Sequence, residues 1–479
     1  MKKLAIILAF IGIVFSPLLS HPWKPAHYVI IDTDGGADDM KALTMFLASP
    51  NVRVLAVTVS PGVLSAENAY IKVRSLLNSY RHEGIPVGIN RIGRYKPAEF
   101  PVARKSVWGD ENNIDPEKAP DCFVLINDIL NAEKTKITFV SLGSMSTAYR
   151  AFTTLPLFRQ QVNSIVWSAD GVAEKDGFNY NLDKDASVMM IRQDVKINVV
   201  RKVDLKDSDF YDKETLEKIK GIKTIYGKMI TSFFESEPGK SHKFSFSGTD
   251  EMVPVFMHYP DLFVNRVAGN VSYSAPADLP GLREAVIKIL SGKTVAENQL
   301  IKEIPEDYEF YFDDIKPYVS EIIEAHGRNE WISGVLASEL HRHLGVFAII
   351  GVKMGIRARE YFNTGVDEFS VVSYAGSVPP LSCMNDGIQV STGATPGHGL
   401  LTVRNDTMLR PTAEFSYLNR KIRISLKPHI AEIISSELKE INFIYGLDSD
   451  IYWELVRKNT IKYWRTFSRF EIFDIEEVR

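Results

Sequence analysis

Short apolar runs alternate with helical patterns along the first three hundred residues. Tyr28-Val29-Ile30-Ile31 is an apolar run of strand length. After a polar loop, Met40, Leu43, Phe46 and Leu47 recur on one helical face, and Ser49-Pro50-Asn51 stops the pattern. Val52 to Val59 is β-branched and predicts the next strand. This is a βαβ unit, which calls for parallel strands and a right-handed crossover. Ile137–Val140, Ser164–Trp167 and Val195–Val200 repeat the strand signal, and Ala119–Asn131 reads as a helix between strands. Small polar residues follow these strands, so several loops can converge on one sheet edge, where open α/β sheets place their sites.

The texture changes beyond residue 302. Glu303 to Asp314 is acidic and aromatic, with Pro305 and Pro317 nearby. Trp331, Val335, Leu336 and Leu340 follow a helical period, Thr412 to Leu426 alternates like a hairpin, and Trp453, Val456, Tyr463, Trp464 and Phe467 form an aromatic stripe suited to a core. The expected division is a signal peptide over 1–20, an α/β domain with a Rossmann-like, mostly parallel sheet over 21–302, a linker over 303–325, and a smaller α+β domain with a C-terminal helical extension over 326–479.

Composition narrows the function. The chain is 45% hydrophobic and 24% charged, which is globular, and a net charge of −4 leaves no basic surface for nucleic acid. Two cysteines, Cys122 and Cys383, cannot make a disulfide framework. Lys2-Lys3, an apolar run from Leu4 to Phe15 and a Leu-Leu-Ser end have the order of a secretory signal, and the run is too short to span a bilayer. The expectation is an exported protein, periplasmic or secreted, with no membrane span after cleavage near Ser20. A homo-oligomer is left open.

The chemistry concentrates in Asp32-Thr33-Asp34-Gly35-Gly36-Ala37-Asp38-Asp39. Four carboxylates in eight residues repel one another, and a bound cation removes that cost. Oxygen donors suit Ca²⁺ or Mg²⁺. An EF-hand is excluded, because Ala37 and Leu43 stand where its Gly and Glu are required.

Asp-x-Asp-x-Gly-x-Asp-Asp after the first strand resembles the inosine–uridine-preferring nucleoside hydrolases. Leu142-Gly143-Ser144-Met145-Ser146-Thr147, then Gly177-Phe178-Asn179 with Asp183-Lys184-Asp185-Ala186, then Thr249-Asp250-Glu251-Met252-Val253-Pro254-Val255 fit further family segments in order, over roughly Ala26 to Leu300. The resemblance implies a nucleoside hydrolase-like fold and calcium-dependent cleavage of the N-glycosidic bond of a small-molecule riboside. Asp34, Asp39, Asp250 and the Ser146 carbonyl would hold Ca²⁺. Asp34 would also take the proton of the attacking water. Asp38 and Asn179 would bind ribose hydroxyls, with Asp176 beside the position of a family glutamate that is Gly177 here. A second departure is Thr249, where many members carry a leaving-group histidine. His242, Trp108, Trp167 and Tyr180 are the substitutes the sequence offers.

His341-Arg342-His343-Leu344-Gly345, Cys383-Met384-Asn385-Asp386-Gly387-Ile388-Gln389 and Thr392-Gly393-Ala394-Thr395 resemble the E-type formylmethanofuran dehydrogenase family, over roughly Trp331 to Pro428, with two family cysteines missing. His341, His343 and Cys383 form a candidate site for Zn²⁺ or another transition metal. Histidines two apart share no face of a regular helix, so both reach one ion only if the helix breaks there.

Two other functions use the same acidic loop. Strand-Asp-x-Asp-Gly also opens haloacid dehalogenase-like phosphatases, where Asp32 would be the nucleophile. A Ca²⁺-dependent ribose or polyol binding protein without turnover is the third reading.

Overall fold

The computed structural model describes residues 25–92, 95–169, 177–204, 209–241, 246–294, 304–406 and 408–478. The signal-like segment, Asp176 and His242 lie outside the described residues.

Eight strands form the first sheet: β1 (His27–Thr33), β2 (Val52–Val59), β3 (Val87–Ile89), β4 (Ile137–Ser141), β5 (Val162–Ser168), β6 (Lys196–Val200), β7 (Phe263–Ala268) and β8 (Val271–Pro276). Their order is β3-β2-β1-β4-β5-β6-β8-β7, and every neighbouring pair is parallel except β7 with β8. The strand side-chain period of two explains the two cores. Val29 and Ile31 of β1 join the cluster on one face, and Ile30 joins the cluster on the other. Helix α1 (Ala37–Ala48) covers the first face with Met40, Leu43, Phe46 and Leu47, as its period predicts.

The second sheet has five strands in the order β10-β9-β11-β12-β13: β9 (Ser370–Ser373), β10 (Leu401–Val403), β11 (Thr412–Tyr417), β12 (Arg420–Leu426) and β13 (Phe473–Val478). The hairpin falls where the alternation places it, Thr412 pairing with Ser425. The segment expected to link the domains contains a helix, Val319–His326, and packs through Ile315, Val319 and Ile322 against Trp331 and Trp464. It is therefore built into the second domain's core.

The domains are joined by buried charge. Arg53, at the start of β2, donates through Nε to Glu368 Oε1 at 2.7 Å, and the Arg53 side chain is almost wholly buried. Arg357 pairs with Glu83 at 3.0 Å, and the His82 ring meets the Glu360 carbonyl at 2.7 Å. Arg53, His82 and Glu83 all lie at or before strand starts. The second domain thus docks at the end of the sheet opposite the strand carboxyl ends.

Candidate active site

The acidic loop leaves β1 at its carboxyl end. Gly35 takes a φ of +80°, a left-handed turn that a side chain would strain, and its Cβ would also meet Ala69 at 3.0 Å. Gly36 precedes α1, so Asp38 and Asp39 occupy the first turn, where the helix dipole favours negative charge. A Cβ on Gly36 would meet Asp39 Oδ2 at 2.5 Å, and one on Gly62 would meet Asp34 Oδ2 at 2.2 Å. The bare backbone at these two positions makes room for the carboxylates.

The loop opens on a cavity of ≈ 380 Å³. Its wall includes Asp34, Asp38, Asp39 and Asp250, with Leu142 after β4, Ser168 at the end of β5, Asn179, Lys202 after β6, and Thr249. A second stretch of wall is apolar: Val63, Phe100, Val102, Ala103 and Phe178. No residue after 303 lines it, so the first domain builds this cavity alone among the described residues.

Carboxyl oxygens of Asp38, Asp39 and Asp250 lie within 4.8 Å of one another. Asp39 Oδ1 accepts from Thr33 Oγ1 at 2.7 Å and from the Asp34 N–H at 3.2 Å. Asp250 Oδ1 accepts from the Ser168 hydroxyl. Both oxygens of Asp34 are buried with no hydrogen-bond partner. Burial, reinforced by the neighbouring carboxylates, pushes Asp34 up to about 7 and holds Asp39 and Asp250 well above the usual carboxylate range. A group of hard oxygen donors that cannot all ionise unaided fits a divalent cation such as Ca²⁺ or Mg²⁺.

The other expected residues divide. Asn179 reaches the wall, its amide donating to the carbonyls of Leu142 at 2.6 Å and Ser168 at 3.0 Å. Ser146 does not line the cavity. It is the first residue of the helix Ser146–Thr154, and its hydroxyl meets Tyr95 at 3.0 Å and Ser144 at 2.9 Å. Asp32 faces away from the cavity, accepting from Thr58 Oγ1 at 2.6 Å and Ser60 Oγ at 2.9 Å. A nucleophile needs a free oxygen at the site, so Asp32 does not suit the phosphatase reading. Trp108, Trp167 and Tyr180 are buried outside the wall, Trp108 stacked on Phe233 and Trp167 donating to the Gly143 carbonyl at 2.9 Å.

Two residues escaped the sequence reading. Lys41 lines the cavity and forms a buried ion pair with Glu251, its Nζ lying 4.9 Å over the Tyr211 ring. Glu251 also accepts from the Thr249 N–H and hydroxyl, each at 3.1 Å. The available signal was one lysine on the apolar side of α1 and one glutamate following Asp250, each needing the other once buried.

Comparison with known proteins decides the family. Residues 29–303, more than half of the chain, match the family described as inosine-uridine preferring nucleoside hydrolase. The chain belongs to this family. A nucleoside hydrolase cleaves an N-glycosyl bond with water, and that is the class of enzyme this chain is. Among curated relatives, the pyrimidine-specific ribonucleoside hydrolase RihA of Salmonella typhi is 24% identical over 260 residues, covering 49% of this chain and 80% of that one. The RihA of Salmonella paratyphi A is 23% identical over 265 residues with the same coverage. Among solved structures, a purine-preferring ribonucleoside hydrolase from Gardnerella vaginalis aligns with a TM-score of 0.45 at 15% identity, covering 56% of this chain and 99% of that one. A plant nucleoside hydrolase aligns with a TM-score of 0.44 at 20% identity and the same coverage. Residues 340–450 match the family described as FmdE, molybdenum formylmethanofuran dehydrogenase operon.

In that second region the helix Arg328–His341 does break, because Arg342 takes a left-handed φ of 65°. The rings of His341 and His343 consequently lie 4.2 Å apart, and a Cβ on Gly345 would sit 3.3 and 3.2 Å from their Nε2 atoms. Asp386 Oδ2 holds His341 Nδ1 at 2.7 Å, while His341 Nε2 is buried without a partner. Cys383 is one turn before Asp386, half-buried, its thiol pushed up to about 11 by burial. It does not form a three-ligand group with the two histidines among the described residues.

Proposed function

We propose that the chain hydrolyses the N-glycosidic bond of a riboside in the acidic cavity with Ca²⁺ bound. The observation that carries this is Asp34, whose two buried oxygens lack any partner beside three further carboxylates. Asp34, Asp39 and Asp250 would hold the ion, with Asp38 close enough to share it or a sugar hydroxyl. When bound, the ion lowers the pKa of a ligated water. Asp34 takes the proton from the attacking water. Asp38 and Asn179 bind the ribose hydroxyls, and the surrounding carboxylates stabilise positive charge growing on the sugar. The apolar wall of Val63, Phe100 and Phe178 receives the departing base. The test is chromatography of products from a panel of ribosides, with and without chelator. Release of ribose that stops on chelation and returns with Ca²⁺ is expected. Ribose bound calorimetrically with no riboside cleaved would favour the binding-protein reading.

A second metal is proposed for the C-terminal region, where the converging Nε2 atoms of His341 and His343 suit Zn²⁺ or a related ion. A carboxylate on the far nitrogen fixes such a histidine's tautomer, which is the role of Asp386. Export to a periplasm or the exterior is proposed from the N-terminal pattern. Among the described residues no helix is long and apolar enough to cross a membrane.

A further inference from the structure

We propose that the buried Lys41–Glu251 pair is a positioning brace for the cation site, fixing Asp250 against Asp39 so that two segments far apart in the chain present one set of ligands. This rests on the acidic cavity taking a divalent ion, as proposed above, and adds the residues that set its geometry.

Asp39 and Lys41 lie two apart in α1, and Asp250 and Glu251 are adjacent at the entry of the helix Met252–His258. Lys41 Nζ meets Glu251 Oε1, with the two side chains 1% and 0% exposed. The same oxygen accepts from the Tyr211 hydroxyl at 3.0 Å. Glu251 Oε2 reaches back across Asp250 to the Thr249 N–H at 3.1 Å. That bond closes a short ring containing Asp250, whose carbonyl accepts the Val253 N–H at 2.9 Å. The Asp250 backbone is thus held on both sides. The rings of Tyr211, Phe234 and Phe233 lie 4.9, 5.6 and 5.9 Å from the Lys41 ammonium and enclose it beside Glu251.

Apolar contacts alone set this placement loosely. Met40 and Leu43 of α1 share a core cluster with Met252, Val253 and Val255, and such contacts have no direction. An ammonium and a carboxylate meet at one relative placement of their segments. The pair is a poor source of stability, because burying both charges is costly and apolar side chains of the same volume serve as well. Its place in the fold accounts for it better. One carboxyl oxygen from each of Asp39 and Asp250 lies within 4.8 Å of the other, a spacing that one ion can bridge, and groups that orient ligands set the affinity of a site.

The brace and the bare charges predict opposite signs. Through space, Lys41 repels a cation, so its removal would tighten binding if charge alone mattered. If the pair positions Asp250, removing either member loosens binding.

The test titrates Ca²⁺ calorimetrically into the full chain after chelation and dialysis, beside urea unfolding of the metal-free protein. Lys41→Met and Glu251→Gln should each raise the Ca²⁺ Kd by about 10- to 100-fold, as changes to ligand-orienting groups do. The double variant should be no weaker than the weaker single variant, because both break one contact. Lys353→Met breaks the likewise buried Lys353–Glu330 pair of the second domain, and should lower the urea midpoint without changing the Kd. Tyr211→Phe removes only a hydroxyl, so it decides the matter if the charge variants fail to fold. It should raise the Kd by about 2- to 10-fold, the net effect of one hydrogen bond. Tighter Ca²⁺ binding in Lys41→Met overturns the brace and leaves the cation reading standing. So does a wild-type Kd in both single variants, a wild-type Kd in Tyr211→Phe, or a double variant whose loss is the product of the single losses. Wild-type protein that takes up no Ca²⁺ overturns both.

Discussion

Thr249 gives its hydroxyl proton to Glu251 Oε2 across 3.1 Å, and the same oxygen takes the Thr249 backbone N–H. The side chain next to the candidate ligand Asp250 is thereby fixed to a buried ion pair and turned away from proton donation. Cleavage should not depend on it. Thr249→Val is expected to keep kcat on nitrophenyl riboside within about 3-fold, since general acids contribute ~10²–10⁴ where they act. Wild-type protein should favour nitrophenyl riboside over inosine. Steady-state kinetics on both substrates checks this, and equal rates on the two would contradict it.

Asp34→Asn should lower kcat by about 10²–10⁴, the usual loss with a general base. The fold should survive, because neither Asp34 oxygen makes a hydrogen bond within the protein. Asp38→Asn should act more on KM. Asp250→Ala should weaken Ca²⁺ binding despite lying 216 residues from Asp34 in the chain. Calcium titration beside kinetics on the three variants separates these roles. Wild-type kcat in Asp34→Asn with Ca²⁺ bound would remove Asp34 from the chemistry.

His82 ties the domains together, its ring meeting the Glu360 carbonyl at 2.7 Å and the Tyr226 hydroxyl at 2.9 Å. Burial lowers its pKa from 6.5 to about 4. The unfolded chain therefore binds this proton more readily than the folded one. The stability His82 contributes is complete above pH 6.5 and is lost as pH falls towards 4. His82→Gln should flatten that part of the profile. Urea unfolding of both proteins from pH 7 to 4.5 measures it, and parallel profiles would exclude His82 as the source.

Elemental analysis of the purified full chain should find a transition metal. Substituting His341, His343 and Cys383 together by Ala should remove it, while substituting Cys383 alone should leave it in place. Unchanged metal content in the triple variant would make the two rings structural.

N-terminal sequencing of an exported fraction should find a mature start between Ser16 and Trp23. Soluble cytosolic protein that keeps Met1 would refute export.

The first domain was legible because its signals are local. The runs at Val52–Val59 and Ile137–Val140 are each one buried strand, and Asp34, Asp38 and Asp39 follow the end of the first strand, the last two in the first turn of the next helix. Asp250 could be placed only through the family pattern, since no local rule carries it back to residue 39. The Lys41–Glu251 pair was invisible because each residue alone reads as solvated, and only burial forces them together. The 303–325 segment looked like a linker for a related reason. Its prolines and acids hide the apolar contacts of Ile315, Val319 and Ile322 with two distant tryptophans. The paired histidines required the left-handed Arg342, a residue type that gives no warning of that geometry.

The Arg53–Glu368 contact fastens the second domain to the sheet end farthest from the cavity mouth. The fusion does not build a shared cavity among the described residues. What it guarantees is dosage: one copy of each region per chain, delivered together. Separating them would strand a buried guanidinium on one half and a carboxylate on the other, so neither half is expected to tolerate excision unchanged.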